Sequence, residues 1–189
     1  MDNNSRSEKT RNTVLEAALA IIARDGPGRL TLDAIVRESG VSKGGLMHQF
    51  RTKEAVLKAL LERQIAYFEN FSQKYLAEHG AGQKQPNLAA QIATLREALP
   101  EPHSVAFALV GAVAQEPSLL SMTREIDAKR LEAIKAEAPD PDLATLRWMA
   151  AQGLVMSAVL GICPVPEHER ARLFDRLMDD RKWTGMETS

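Results

Sequence analysis

Residues 31–54 read Thr-Leu-Asp-Ala-Ile-Val-Arg-Glu-Ser-Gly-Val-Ser-Lys-Gly-Gly-Leu-Met-His-Gln-Phe-Arg-Thr-Lys-Glu, and this stretch restricts the fold more closely than any other. Thr31 is a natural N-cap, with Asp33 in the first turn facing the positive end of the helix dipole. Leu32, Ile35 and Val36 fall on one inward face. Gly40 closes this helix in a turn that needs positive φ, and Val41 packs inside the turn. Ser42 caps a second helix whose inward residues are Leu46 and Phe50. Thr52 caps a third, with Glu54 in its first turn. Two short helices joined by a tight glycine turn form a helix-turn-helix, which lays its second helix in the major groove of DNA.

The residues on the outer side of that second helix suit the task. Lys43, Gly44 and Gly45 occupy its first turn, where backbone N–H groups are free to bond phosphate. Two glycines cost a helix about 1 kcal/mol each against alanine, a cost that makes sense where a side chain would hold the backbone away from DNA. Met47 and His48 fall opposite Leu46 and Phe50. His48 can donate or accept at base edges, and Met47 can touch a thymine methyl. Lys53, beside the next cap, is placed to pair with phosphate. Taken singly, each has a bland reading as a loop glycine or a solvated side chain. The complete order of caps, turn and apolar positions is far less expected by accident. The candidate DNA-facing set is Thr31, Ser42, Lys43, Gly44, Gly45, Met47, His48 and Lys53.

The rest of the 189 residues place this motif in a helical protein. Hydrophobic residues make up 44% and charged residues 26%, enough to bury a core. Alternation of Val, Ile and Thr is nearly absent, which predicts an all-α fold. The net charge of −1 divides unevenly. Residues 1–53 carry nine basic and six acidic side chains, a net of +3, which leaves −4 for the remainder. A basic head on an acidic body suits a protein that presents one end to DNA.

The lone Cys163 excludes an internal disulfide and a multi-cysteine zinc site. It sits before Pro164 in an apolar stretch and is expected to be buried and inert. His79, His103 and His168 show no metal-ligand spacing, so neither metal nor cofactor is expected. The polar start Met-Asp-Asn-Asn-Ser-Arg-Ser lacks the apolar core of a secretory signal. The most apolar run, Trp148 to Ile162, is interrupted by Gln152 and Ser157 and falls short of the ~20 residues of a membrane span. A cytoplasmic protein with no membrane partner is expected.

About nine helices are predicted. The first starts between Ser5 and Thr10, where Ser5 and Glu8 could form a capping box. It carries Val14, Leu15, Ala18, Leu19 and Ile22 in one stripe and ends at Gly26-Pro27-Gly28. The helix after Thr52 is long, with a stripe through Leu57, Leu60, Leu61, Ile65, Phe68, Phe71 and Tyr75 until Gly80 to Pro86 breaks it. Further helices are expected near 87–99, 104–115, 117–137, 141–162 and 167–182, with a frayed tail from Thr184.

Thr31-Leu32-Asp33-Ala34-Ile35, Gly40-Val41-Ser42-Lys43-Gly44, Leu46, Phe50 and Lys53-Glu54 together resemble the N-terminal domain of TetR/AcrR-type transcriptional regulators, over about residues 9 to 62. The resemblance implies an all-α homodimer with a DNA-binding head of three helices, here 1–52, and a larger ligand-binding and dimerisation domain, here 53–189. It departs at Met47, where the family usually has an aromatic, and at Gln49, where it often has His. It also implies a small-molecule effector. Candidate walls for an apolar or aromatic one are Phe68, Phe71, Tyr75, His103, Phe107, Met122, Trp148 and Met149, with Met156 beside them. Taken singly, each of these reads more readily as core packing than as a ligand wall.

Small residues at Ala150, Ala151, Gly153, Ser157, Ala158 and Gly161 allow close helix approach. Residues 142–162 and 167–182 are therefore expected to form a four-helix dimer interface. A ligand-responsive repressor of operator DNA is the leading expectation. Two other classes remain in view: a helical protein-interaction module, and an enzyme using His103 or Cys163. The second lacks any nucleophile–base pair, phosphate loop or metal constellation.

Overall fold

In the computed structural model, residues 3–99, 110–111 and 116–183 are described. They form eight α-helices and no strand: α1 Asn3–Asp25, α2 Leu32–Ser39, α3 Lys43–Gln49, α4 Lys53–His79, α5 Pro86–Glu97, α6 Pro117–Glu137, α7 Pro141–Val159 and α8 Glu167–Met178. Short 3-10 turns follow α1, α4 and α8. The helix expected near 104–115 lies outside the described residues except for Val110 and Gly111, which are helical. His103, Phe107 and the tail from Thr184 also lie outside them.

Two compact units are present. One takes in residues up to Ile65 and the described part of the segment 104–122; the other takes in the described parts of 66–103 and 123–189. The division falls inside α4, not at its start. The reason is burial: Val56, Leu57, Ala59 and Leu60 of α4 are buried in the first core with Val14, Ala18, Ile22, Leu30, Ile35, Leu46 and Phe50. Leu119 of α6 joins the same core.

The first helix begins at Asn3, earlier than expected, so Ser5 lies inside it and forms no capping box. No Gly or Pro stops the helix before Ser5, and its second turn is anchored from outside by Gln49 (below). The turn after α1 forms as anticipated: Gly26 takes φ 83° and Pro27 opens a 3-10 turn.

The second core packs α5, α6, α7 and α8 around Leu88, Ile92, Ile134, Ala144, Ala151, Phe174 and Leu177. Trp148 belongs to it, with 4% of its surface exposed. The helix ends here are bonded by side chains. Asp140 caps α7 by accepting from the Asp142 and Leu143 N–H groups. Glu137 accepts from the Asn87 and Leu88 N–H groups at 3.0 and 2.9 Å, so the end of α6 caps the start of α5. Arg147 is buried. It donates to the Leu177 carbonyl and to Asp180 at 2.9 Å, which fastens the chain after α8 against α7. α7 ends at Val159, and Gly161 takes φ 69° just beyond it.

Candidate nucleic-acid interface

The caps anticipated at Thr31, Ser42 and Thr52 form. The Ala34 N–H donates to Thr31 Oγ1 at 3.0 Å, the Gly45 N–H to Ser42 Oγ at 3.1 Å, and the Ala55 N–H to Thr52 Oγ1 at 3.1 Å. Each satisfies one of the orphan donors of a helix start. Glu54 adds to the third cap: hydrogen bonds from its own backbone N–H and from Thr52 hold its carboxyl below the ordinary carboxylate range. Gly40 takes φ 66°, the left-handed conformation that lets α2 stop and α3 leave at an angle.

Leu46 is fully buried and Phe50 nearly so, which fixes the rotation of α3. Met47, 38% exposed, and His48, also exposed, therefore stand outward as expected. The two glycines differ. A Cβ on Gly44 would meet nothing within 4 Å, whereas one on Gly45 would meet Val41 Cγ1 at 3.1 Å and Ser42 Oγ at 3.2 Å. A side chain at Gly45 would thus crowd the turn itself. Gly44 has no such internal reason.

The two lysines are engaged within the head. Lys43 Nζ donates to Asp33 Oδ1 at 3.1 Å, an exposed pair between α3 and α2. Lys53 Nζ donates to the Pro27 carbonyl at 3.3 Å and is half-buried. Arg24 bridges Asp25 and Glu38, each at 3.0 Å, and joins the end of α1 to α2. Hydrogen bonds from Arg24 hold both carboxyls below their usual range.

Sequence reasoning missed two features. Gln49 Nε2 donates to Ser7 Oγ at 2.7 Å, across 42 positions. The Arg11 guanidinium lies over the Phe50 ring, 4.7 Å from its centroid. The available signal was the spacing of Ser7, Arg11, Val14 and Ala18, which continues the inward face of α1 toward its start.

The expected effector residues scatter. Phe68, Phe71 and Tyr75 are half-buried on the second unit's part of α4, and Tyr75 stacks on His79 at 4.6 Å. Trp148 is core, not an open wall, because it fills the space between α5, α6 and α8. Met149 is 51% exposed, since one residue of helix turns it about 100° away from Trp148. Met122 is half-buried in the first unit. The surface grooves along α1 and α2 and along α8 are lined by none of these residues.

Cys163 also differs from expectation. It is half-buried in the loop after α7, and hydrogen bonding with Ser157, then with the Val165 backbone, draws its thiol below the ordinary value. No cluster of three metal-ligating side chains exists among the described residues. Nor is any helix among them long and apolar enough to cross a membrane.

The outer face of α7 is apolar. Leu146, Met149, Met156 and Leu160 are exposed along one side, with exposed Ala150 and Gly153 between them, and Leu173 is exposed on α8. A capped helix-turn-helix head and a helical body with such a face define a protein of the helix-turn-helix class.

Comparison with known proteins agrees. Residues 14–60 match the bacterial regulatory proteins of the tetR family, and residues 86–180 match the tetracyclin repressor-like C-terminal domain. The second match covers half of the chain, and the chain belongs to the TetR family of bacterial regulators. The enzyme reading is therefore set aside.

Among curated relatives, the transcriptional regulator SrpR of Pseudomonas putida is 37% identical over 57 residues, which is 30% of this chain and 27% of SrpR. The chain spans 27% to 42% of the lengths of the curated relatives it matches. The solved transcriptional regulator SCO7518 of Streptomyces coelicolor superposes with a TM-score of 0.66 at 20% identity, over 89% of this chain and 96% of that one. The multidrug binding protein EbrR, solved with malachite green, superposes with a TM-score of 0.63 at 18% identity, over 89% of this chain and 98% of that one. These likenesses establish the fold.

Proposed function

We propose that this protein is a ligand-responsive transcriptional repressor that binds operator DNA as a homodimer. The observation that carries the proposal is α3. It is capped and rotationally locked by Leu46, and it turns Met47, His48 and the bare backbone of Gly44 outward from a head of positive net charge. A helix with those properties can enter the major groove, with its first N–H groups toward phosphate. Lys43 can reach phosphate by releasing the exposed Asp33, a pair worth little in water. Lys53 holds Pro27 and so places the start of α4 as well as offering charge.

Dimerisation through α7 and α8 is supported by the exposed stripe Leu146, Met149, Met156 and Leu160. A contiguous apolar face on a helix calls for a partner, and a two-fold pairing would place the same stripe against itself. An apolar or aromatic effector in the second unit is supported by half-buried Phe68, Phe71 and Tyr75. It is also supported by the likeness to EbrR, which was crystallised with malachite green. α4 is continuous from Lys53 to His79, so a ligand held against its later turns has a direct route to the head. Relief of repression requires that the ligand favour a conformation with lower DNA affinity.

The test is binding of the full chain to genomic fragments near its own gene at moderate salt, with and without malachite green. Preference for one fragment over random DNA, with weakening by the dye, supports the whole reading. No preferred fragment sinks it, and a preferred fragment indifferent to aromatic dyes sinks the effector class alone.

A further inference from the structure

We propose that Arg11 is a phosphate-binding residue beside α3, with Gln49 as its positioning residue; the inference rests on the DNA-binding reading above. Ser7 and Arg11 are one turn apart on the same face of α1. Gln49, the last residue of α3, donates to Ser7 at 2.7 Å, and the Phe50 ring that follows lies 4.7 Å from the Arg11 guanidinium. The start of α1 is thus fastened to the C-terminal end of α3 at two points. Phe50 is buried and cannot move away.

A guanidinium held over an aromatic ring still has its N–H donors to offer to other partners. Several other guanidinium groups meet carboxylates: Arg24 meets Glu38, Arg63 meets Glu16, Arg96 meets Asp175, and Arg147, which also lies over an aromatic ring, meets Asp180. Among the described residues, Arg11 has neither a carboxylate nor any hydrogen-bond acceptor. An oriented, permanently charged fork without an internal partner, at the edge of a helix that enters the groove, matches a backbone phosphate. Gln49 therefore acts through Ser7 and not by touching DNA.

The experiment measures binding of the full chain to a short mixed-sequence duplex and to its preferred fragment, between about 50 and 200 mM salt. Arg11→Gln keeps a flat amide over Phe50 but removes the charge. It should weaken binding to both duplexes about equally and reduce the log–log salt slope by about one, while Arg11→Lys keeps the slope. Ser7→Ala and Gln49→Ala should each weaken binding, and neither should add to Arg11→Gln when combined with it. Helical content and melting temperature, measured on every variant, separate binding loss from unfolding. Should Gln49→Ala unfold, Ser7→Ala tests the same tether. An unchanged slope in Arg11→Gln, or a change of base preference in its place, overturns the inference while leaving the DNA-binding reading intact. Failure of the wild-type chain to bind any duplex overturns both.

Discussion

Gly44 and Gly45 are adjacent, share one helix turn, and have different reasons to be glycine. At Gly45 a methyl group would press on the Val41 and Ser42 side chains at 3.1 and 3.2 Å, and these would have to give way. At Gly44 the space is open, and alanine there should stabilise α3 by up to about 1 kcal/mol. Close approach of DNA to the backbone, as proposed above, would account for glycine at that position. Gly44→Ala should therefore raise the melting temperature by a few degrees and weaken DNA binding about tenfold or more. Thermal unfolding paired with a binding titration checks both halves. A more stable variant with full affinity would remove close approach as the reason for Gly44. Leu46 behaves in the opposite way: Leu46→Ala empties a fully buried site and should cost about 3 kcal/mol, lowering stability and DNA binding together.

At the scale of the elements, α1 and α2 are joined by Arg24 between Asp25 and Glu38. Both carboxyls titrate below their ordinary range, so the folded state favours their charged forms. Their contribution is fully present above the ordinary carboxylate pKa of about 4 and is lost as pH falls through the lower folded values. Glu38→Gln should therefore melt below wild type at neutral pH, with the two curves converging under about pH 4. A constant gap across pH would show that the bridge carries no stability.

The outer face of α7 makes a second element-level prediction. In the proposed dimer, Met149→Glu would set like charges against each other across the two-fold axis and should convert dimers to monomers in sedimentation, with helical content unchanged. A wild-type monomer would refute dimerisation itself.

Elements of this kind were largely legible in the chain. Thr31, Ser42 and Thr52 stand at three helix starts because a short hydroxyl side chain does one job there, and Gly40 at positive φ is legible for the same reason. Contacts between distant positions were not. The Gln49–Ser7 bond joins residues 42 positions apart whose local patterns are unremarkable. Trp148 and Met149 illustrate the limit for the body. Composition proposes both as pocket walls, but only packing decides that Trp148 fills a core and Met149 faces outward.

For the molecule as a whole, the account requires a head that reads DNA and a body that pairs and senses. Residues 1–53 carry +3 and the remainder −4, so under the proposed function phosphate should be drawn to the head, and affinity should fall steeply with salt as phosphate contacts release counterions. Trp148 is buried among α5, α6 and α8, so its fluorescence reports the integrity of the second core, while the half-buried aromatics of α4 are the test of ligand contact. Phe71→Ala should impair the response to an aromatic dye more than it impairs operator affinity, and equal loss of both would mark it as a packing residue. The most direct measurement of the central claim is selection of the preferred duplex from a random pool by the full chain. The winning sequence and a shuffled control are then titrated across salt. The account predicts a near-palindromic winner that binds at least two chains per duplex, preferred over the control and weakened steeply by salt. A pool that yields no sequence bound better than its shuffled control would contradict it.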